Sequence, residues 1–312
     1  MNMDVLLWMQ GWRTEGIERI FLGISGAGEG LWALAGAVFW LWGARAAYRM
    51  AWAWGLGHGA ATSVKWACRV PRPWDLDAAV HPSGAALAGA SGYSFPSGHA
   101  TCAGALWGGV AEGGRDGIRR WLWVWAVTAT FAVAIARMGL GVHTPADVAA
   151  GAVLGWMAAL GAGLLMDWAE AAGKGWRKWA LTGIVGAAGT AFCLLLRWKG
   201  AEEALRGDIA LSVIALTALG VAWSLERTWI VYRPEELGDG YRLAGALLGE
   251  AGLWLISRHL GDAAFYAVQD RFLSGAIVSA ACPLWVFVAW PLVLKGLRDG
   301  GTGDGGKGNG AT

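Results

Sequence analysis

The sequence predicts an all-α protein, a polytopic transmembrane helical bundle of about nine spans, with roughly 20 apolar residues needed for each crossing. Three observations carry this reading. The chain of 312 residues is 56% hydrophobic and only 15% charged, whereas a soluble domain carries about 25% charged residues. Apolar runs recur along the whole length, at 30–43, 50–65, 98–111, 121–136, 145–166, 179–196, 209–225, 243–256 and 273–294. Aromatic residues gather at the run ends, at Trp42, Trp121, Trp176, Trp179, Trp198, Trp229 and Tyr232, as an interfacial belt requires. Several runs are shorter than a crossing, so their helices must take in flanking Trp, Gly and Arg. A net charge of +2 with no basic stripe offers nucleic acid no docking surface.

Taken in order, the first element is residues 1–26. Ile17, Ile20, Phe21 and Ile24 recur at helical spacing between Arg13, Glu15, Glu18 and Arg19, which predicts a short amphipathic helix lying on the membrane surface. The start lacks the basic stretch of a secretory signal, so none is expected. The second run contains His58 and ends in "KWACRVPRPW", where Lys65, Arg69 and Arg72 arrive together between stiffening prolines. The third begins at "SFPSGHA", Ser94 to Ala100, and the fourth passes into the fifth through "ARMGLGVHTPAD", Ala136 to Asp147. Gly104/Gly108 and Gly151/Gly155 have the spacing that lets helices approach closely in lipid. Glu250 lies inside the eighth run with no visible partner, and the Gly-rich end predicts a disordered tail over 298–312. Residues 27–196 then form a motif-bearing core of six spans, and 197–297 three additional spans. Four scattered cysteines, Cys68, Cys102, Cys193 and Cys282, lack metal spacing and read as packing residues.

Charge bias assigns the sides. Arg115, Arg119 and Arg120, and later Arg227, Arg233 and Arg242, cluster in alternate loops, which the positive-inside rule places in the cytoplasm. The three motif-bearing stretches then share the outer membrane–water interface. Singly, each has a plain explanation. Lys65 and Arg72 can snorkel to headgroups, and Thr144-Pro145 is a helix start with Asp147 completing a capping box. Together they put three cations, two histidines and a carboxylate on one face.

The pattern K-x6-R-P (Lys65, Arg72, Pro73), then P-S-G-H (Pro96 to His99), then R-x5-H-x3-D (Arg137, His143, Asp147) resembles the three-part signature of the type 2 phosphatidic acid phosphatase superfamily. Ala136 stands where that family usually has Ser. The resemblance implies that His143 is the nucleophile, oriented by Asp147, and that His99 protonates the leaving oxygen and then activates water. The span count is similar to the glucose-6-phosphatase and sphingosine-1-phosphate phosphatase arrangement.

The residue chemistry agrees with that implication. Lys65, Arg72 and Arg137 supply fixed positive charge for the equatorial oxygens of a phosphoryl group. Ser97 is expected to cap the third span, leaving the Gly98 and His99 amides as an anion-binding helix start. No carboxylate cluster suits a metal, so neither a metal nor another cofactor is expected. The sequence therefore predicts a metal-independent, multi-pass phosphatase of the plasma membrane with its site facing outside. The expected substrate is a lipid phosphomonoester or prenyl pyrophosphate. A soluble sugar phosphate, or a non-catalytic phosphate-binding or transport protein, are the alternatives. Trp66, Trp74 and Phe95 are candidates to line a path for a lipid chain, or are interfacial anchors. Asp75, Asp77, His81, Ser91 and Tyr93 are the polar groups available to a soluble substrate. His58, two turns before Lys65, either underlies the site or is a hydrogen-bonded packing residue.

Overall fold

The computed structural model describes residues 3–26, 30–87, 89–90, 92–171 and 175–301. Ser91 and residues 302–312 of the expected tail lie outside them. Among the described residues every regular element is helical. The chain opens with α1 (Asp4–Gly11) and α2 (Glu15–Ser25), continues through α3 (Leu31–Leu41) and α4 (Ala44–Cys68), and crosses a loop holding the one-turn helices α5 (Pro73–Leu76) and α6 (Gly84–Leu87). Then come α7 (Gly98–Gly113), α8 (Asp116–Gly139), α9 (Pro145–Glu170), α10 (Trp176–Trp198) and α11 (Glu203–Leu225). Helices α12 (Asp239–Leu255), α13 (Gly261–Val268), α14 (Arg271–Leu284) and α15 (Trp290–Gly301) complete the bundle. Pro283 sits inside α14, just ahead of the π-turn Trp285–Ala289, where the missing proline N–H loosens the ladder.

Each of the nine apolar runs falls on a helix, but among the described residues five helices are long and apolar enough to cross a membrane. These are Asp116–Gly139, Pro145–Glu170, Trp176–Trp198, Arg206–Ile230 and Arg271–Arg298, and they make the chain a membrane protein. The others differ for a physical reason. Helix α4, 25 residues long, buries Tyr48, Arg49, Trp52 and Thr62 at the centre of the bundle, where its neighbours are protein and its polar groups find partners. Helix α7 has 16 residues, roughly 24 Å of rise, and packs between α4, α8 and α9.

Close backbone approach holds this centre together. A Cβ on Gly151 would lie 2.5 Å from the Ser97 carbonyl oxygen, and one on Gly155 would collide with the Thr101 carbonyl. The small-residue spacing therefore marks the α7–α9 crossing. A second core joins the later helices to α3 and α4. Tyr48 stacks on Phe287 at 4.3 Å and Phe39 meets Phe287 edge-on at 4.9 Å, with Trp40, Trp52 and Trp223 buried around them.

Two expectations need correction. Trp42, Trp121, Trp176, Trp179, Trp198 and Trp229 are exposed, as a belt requires, but Tyr232 is buried and donates from its hydroxyl to the Trp40 carbonyl at 3.2 Å. The apolar stripe of α2 faces protein. Phe21 is buried against Gly139 of α8, and Ile17 and Ile24 pack with it while Ile20 stays exposed. A surface helix presents a stripe of the same period whether it meets lipid or its own chain, so periodicity alone does not separate the two. None of the four cysteines is in a disulfide.

Candidate active site

Four helix ends meet at one end of the bundle: the C-termini of α4 and α8 and the N-termini of α7 and α9. Helix α4 stops where Arg69 turns left-handed, at φ 49°. Lys65, in its last turn, donates to the Tyr93 carbonyl at 2.7 Å and lies along Gly98. Pro73 then starts α5, and Arg72 immediately before it is held at both ends. Its backbone N–H donates to Asp75 Oδ2 at 3.3 Å. Its side chain donates from Nε to the Gly92 carbonyl at 2.9 Å and from Nη1 to the Val142 carbonyl at 3.0 Å. The guanidinium also lies 5.7 Å from the Trp74 ring. The prolines thus set the direction of a cation that the loop carbonyls lock in place.

The turn between α8 and α9 delivers His143. Gly141 adopts φ 75° with Pro82 so close that a Cβ would stand 3.2 Å from its Cα, a backbone state that glycine tolerates. His143 is 1% exposed, and its Nε2 lies 3.2 Å from Arg72 Nη1. A guanidinium only donates, so Nε2 carries the lone pair and the ring proton is assigned to Nδ1. Nδ1 faces Asp147 Oδ2 at 3.7 Å, beyond hydrogen-bond length. Burial is the main influence holding the His143 imidazolium pKa below its ordinary value; Asp147 opposes it, and Arg72, Lys65 and Arg137 reinforce it. Burial likewise lowers Arg72 to about 10, partly offset by Asp147 and Asp75, and at that value it remains charged at neutral pH.

Asp147 forms the expected capping box and also faces His143. Its Oδ2 accepts from the Thr144 N–H at 2.7 Å while Thr144 Oγ1 accepts from the Asp147 N–H at 3.3 Å, a reciprocal capping box. The same oxygen accepts from Ser94 Oγ at 2.7 Å and faces the imidazole. The Asp147 carbonyl accepts from the Ser97 N–H at 2.9 Å, which ties the starts of α7 and α9 together. Ser97 occupies the cap position of α7 but makes no capping hydrogen bond, and its buried Oγ has no hydrogen-bond partner. The expected hydroxyl cap is therefore not formed. His99 and Gly98 are half-buried, and the His99 ring lies against Gly89.

Arg137 ends α8 at 2% exposure and donates from Nη1 to Ser25 Oγ at 2.9 Å. The structure therefore gathers Lys65, Arg72, Ser97, Gly98, His99, Arg137, His143 and Asp147 at one end of the bundle. Backbone carbonyls accept from Lys65 and Arg72 and the Ser25 hydroxyl accepts from Arg137, while the Asp147 and Asp75 carboxylates act on the Arg72 charge.

Other expected residues lie elsewhere or serve the loop. His58 is a hydrogen-bonded packing residue. Its Nδ1 is 2.9 Å from Ser212 Oγ, whose own proton goes to the Asp208 carbonyl, and its ring stacks on Trp54. Asp77 accepts from the Ala79 N–H, and the Tyr93 hydroxyl donates to Glu202. The His81 side chain is exposed, while its carbonyl accepts from Arg13. Trp66 packs with Leu196 and Ile209, and Trp74 with the cluster around Phe21. Glu250 Oε1 is buried beside Gly36 with no hydrogen-bond partner. Sequence reading gave no role to Ser94, although it stands within the quoted "SFPSGHA". Nothing in the sequence signalled Ser25, 112 positions from its partner.

Residues 46–171 match the model of the PAP2 superfamily. Nothing matches among curated proteins or solved structures.

Proposed function

We propose, from the premise that this chain belongs to the PAP2 superfamily of phosphatases through residues 46–171, that it hydrolyses a lipid phosphomonoester or prenyl pyrophosphate through a phosphohistidine, at the outer face of the plasma membrane. One observation carries the reading. His143 presents the lone pair of Nε2 toward Arg72 while its Nδ1 proton faces Asp147. A nucleophile so poised has its cation beside it and its counter-charge behind it.

The steps follow from that geometry. A phosphate oxygen arriving between Arg72, Lys65 and Arg137 takes over the Arg72 N–H, which releases the Nε2 lone pair for attack on phosphorus. The P–O bond to the leaving group breaks, and His99 gives that oxygen its proton. The positive charge that develops on the imidazole draws Nδ1–H toward Asp147, closing the 3.7 Å gap. His99, now neutral, takes a proton from water, whose oxygen attacks the phosphohistidine and frees Nε2 and inorganic phosphate. The cations supply the charge stabilisation, and no metal takes part.

The substrate follows from position. A site at helix ends near the headgroup layer receives a lipid-borne phosphate already concentrated and oriented, which replaces part of the positioning that binding must otherwise supply. Asp75, Asp77 and Tyr93 are engaged with the protein itself, which leaves few groups to discriminate sugar hydroxyls. The purified protein should release phosphate from a long-chain lipid phosphate or prenyl pyrophosphate with kcat/KM about a hundredfold above that for glucose 6-phosphate, or roughly 2.7 kcal/mol. Vanadate should inhibit and EDTA should not. Equal or reversed preference in the same detergent transfers the protein to soluble substrates.

A further inference from the structure

Helices α1 and α2 lie outside the segment that matches the superfamily, yet they are fastened to the site at several points. Arg13 donates from Nη2 to the His81 carbonyl at 2.7 Å and from Nη1 to the Gly139 carbonyl at 3.3 Å. Gln10 pairs with the same loop in both directions, donating to the Ala79 carbonyl at 3.1 Å and accepting from the His81 N–H at 2.6 Å. Ser83 donates its hydroxyl proton to Glu18. Phe21 fills the space over Gly139, two residues beyond Arg137. The last residue of α2, Ser25, is 4% exposed and accepts from Arg137 Nη1.

We infer that Ser25 is a positioning residue for the phosphate-binding guanidinium of Arg137, and that the α1–α2 pair is a working part of the site. The inference rests on the phosphatase reading above. A guanidinium recognises a phosphate through a planar fork whose direction decides the strength of the contact. Holding Nη1 on a fixed hydroxyl sets that plane before the ligand arrives. The choice of a hydroxyl matters chemically. A carboxylate here would orient Arg137 equally well but oppose the charge that the phosphate needs, whereas a serine oxygen brings no charge of its own. The neighbouring Ala136 brings no hydroxyl, so this partner comes from the distant α2. The anchors on Ala79, His81 and Gly139 give Ser25 its fixed position.

The test is a double-mutant cycle on the full-length protein, read by inhibition with vanadate and by kcat and KM. Ser25→Ala should weaken vanadate inhibition and lower kcat/KM by about tenfold, the effect of one hydrogen bond to a charged group. Ser25→Thr should restore both. In an Arg137→Ala background Ser25→Ala should change neither, because the residue acts through that guanidinium. Ser25→Asp should bind vanadate more weakly than Ser25→Ala, a loss that a purely structural role does not predict for an acceptor that keeps the hydrogen bond. Wild-type vanadate affinity in Ser25→Ala, or equal effects of Ser25→Ala with and without Arg137, overturns the inference. A wild-type protein that neither hydrolyses phosphoesters nor responds to vanadate points instead to failure of the phosphatase reading.

Discussion

At the scale of single residues, the site depends on who shares which proton. Arg72 fixes the lone pair on His143 Nε2, and Ser94 and the Thr144 N–H hold Asp147 Oδ2 where the imidazole can reach it. The motif residues were legible because three spaced patterns lie close to helix ends. Ser94 and Ser25 were not, because a hydroxyl's value depends on which buried group stands opposite. Burial, with the nearby cations, lowers the His143 pKa below 6.5, so the imidazole stays neutral, as the proposed nucleophile must, while pH falls through that value. The unfolded chain binds a proton there and the folded one does not, so stability declines as pH drops below 6.5. At the alkaline end Arg72 loses its charge near its pKa of about 10. The kcat/KM profile, corrected for ionisation of the substrate phosphate, should fall as pH rises, because the leaving oxygen needs the His99 proton and Lys65, lowered chiefly by burial to about 7, loses its charge before Arg72 does. An acid limb centred at or above 6.5 contradicts this protonation scheme.

At the scale of elements, the α7–α9 crossing decides whether the site exists, because it joins the loop that carries Ser97 to the helix that carries Asp147. The glycine spacing in the sequence pointed to this contact. It did not reveal that α7 is too short, and α4 too polar, to meet the criterion for a crossing helix. Both are enclosed by other helices, a tertiary fact that hydropathy does not carry. The stripe of α2 was ambiguous for the related reason that lipid and protein reward the same apolar period. Replacing Gly155 by Val pushes a side chain into the Thr101 carbonyl and the Ala105 N–H region. The expected cost is roughly 1–3 kcal/mol or more, seen as a lower unfolding temperature in detergent together with loss of activity. Gly161→Ala, with nothing within 4 Å of the new Cβ, should be neutral. Equal unfolding temperatures for the two variants argue against close helix approach.

At the scale of the whole molecule, the two ends of the bundle are chemically distinct. Opposite the site, Arg49 donates to the Glu112 carbonyl and pairs with Asp167, while Arg119 and Trp123 donate to the Glu112 carboxylate. This partly buried network binds α4, α7, α8 and α9 to one another at the end away from His143 and Arg72. Helices beyond the superfamily segment complete the molecule through the aromatic core at Phe287 and through Glu202, which accepts from Tyr93. Sidedness follows from the proposal that the Arg-rich loops are cytoplasmic. Single cysteines at Ala78 and Gly261, in a cysteine-free background, should react with impermeant maleimide in intact cells. Cysteines at Gly114 and Gly238 should react only after permeabilisation. Identical labelling of Ala78 and Gly114 rules out this threading.

The covalent role of His143 is tested most directly by trapping the phosphoenzyme. Labelled p-nitrophenyl phosphate has a leaving group that departs without a proton, so a His99→Ala protein should still form the intermediate but hydrolyse it slowly. After rapid quench the label should be acid-labile and alkali-stable, should map to the peptide containing His143, and should vanish in the His143→Ala, His99→Ala double variant. Label on any other residue, or a His143→Ala enzyme that turns over near the wild-type rate, contradicts the mechanism.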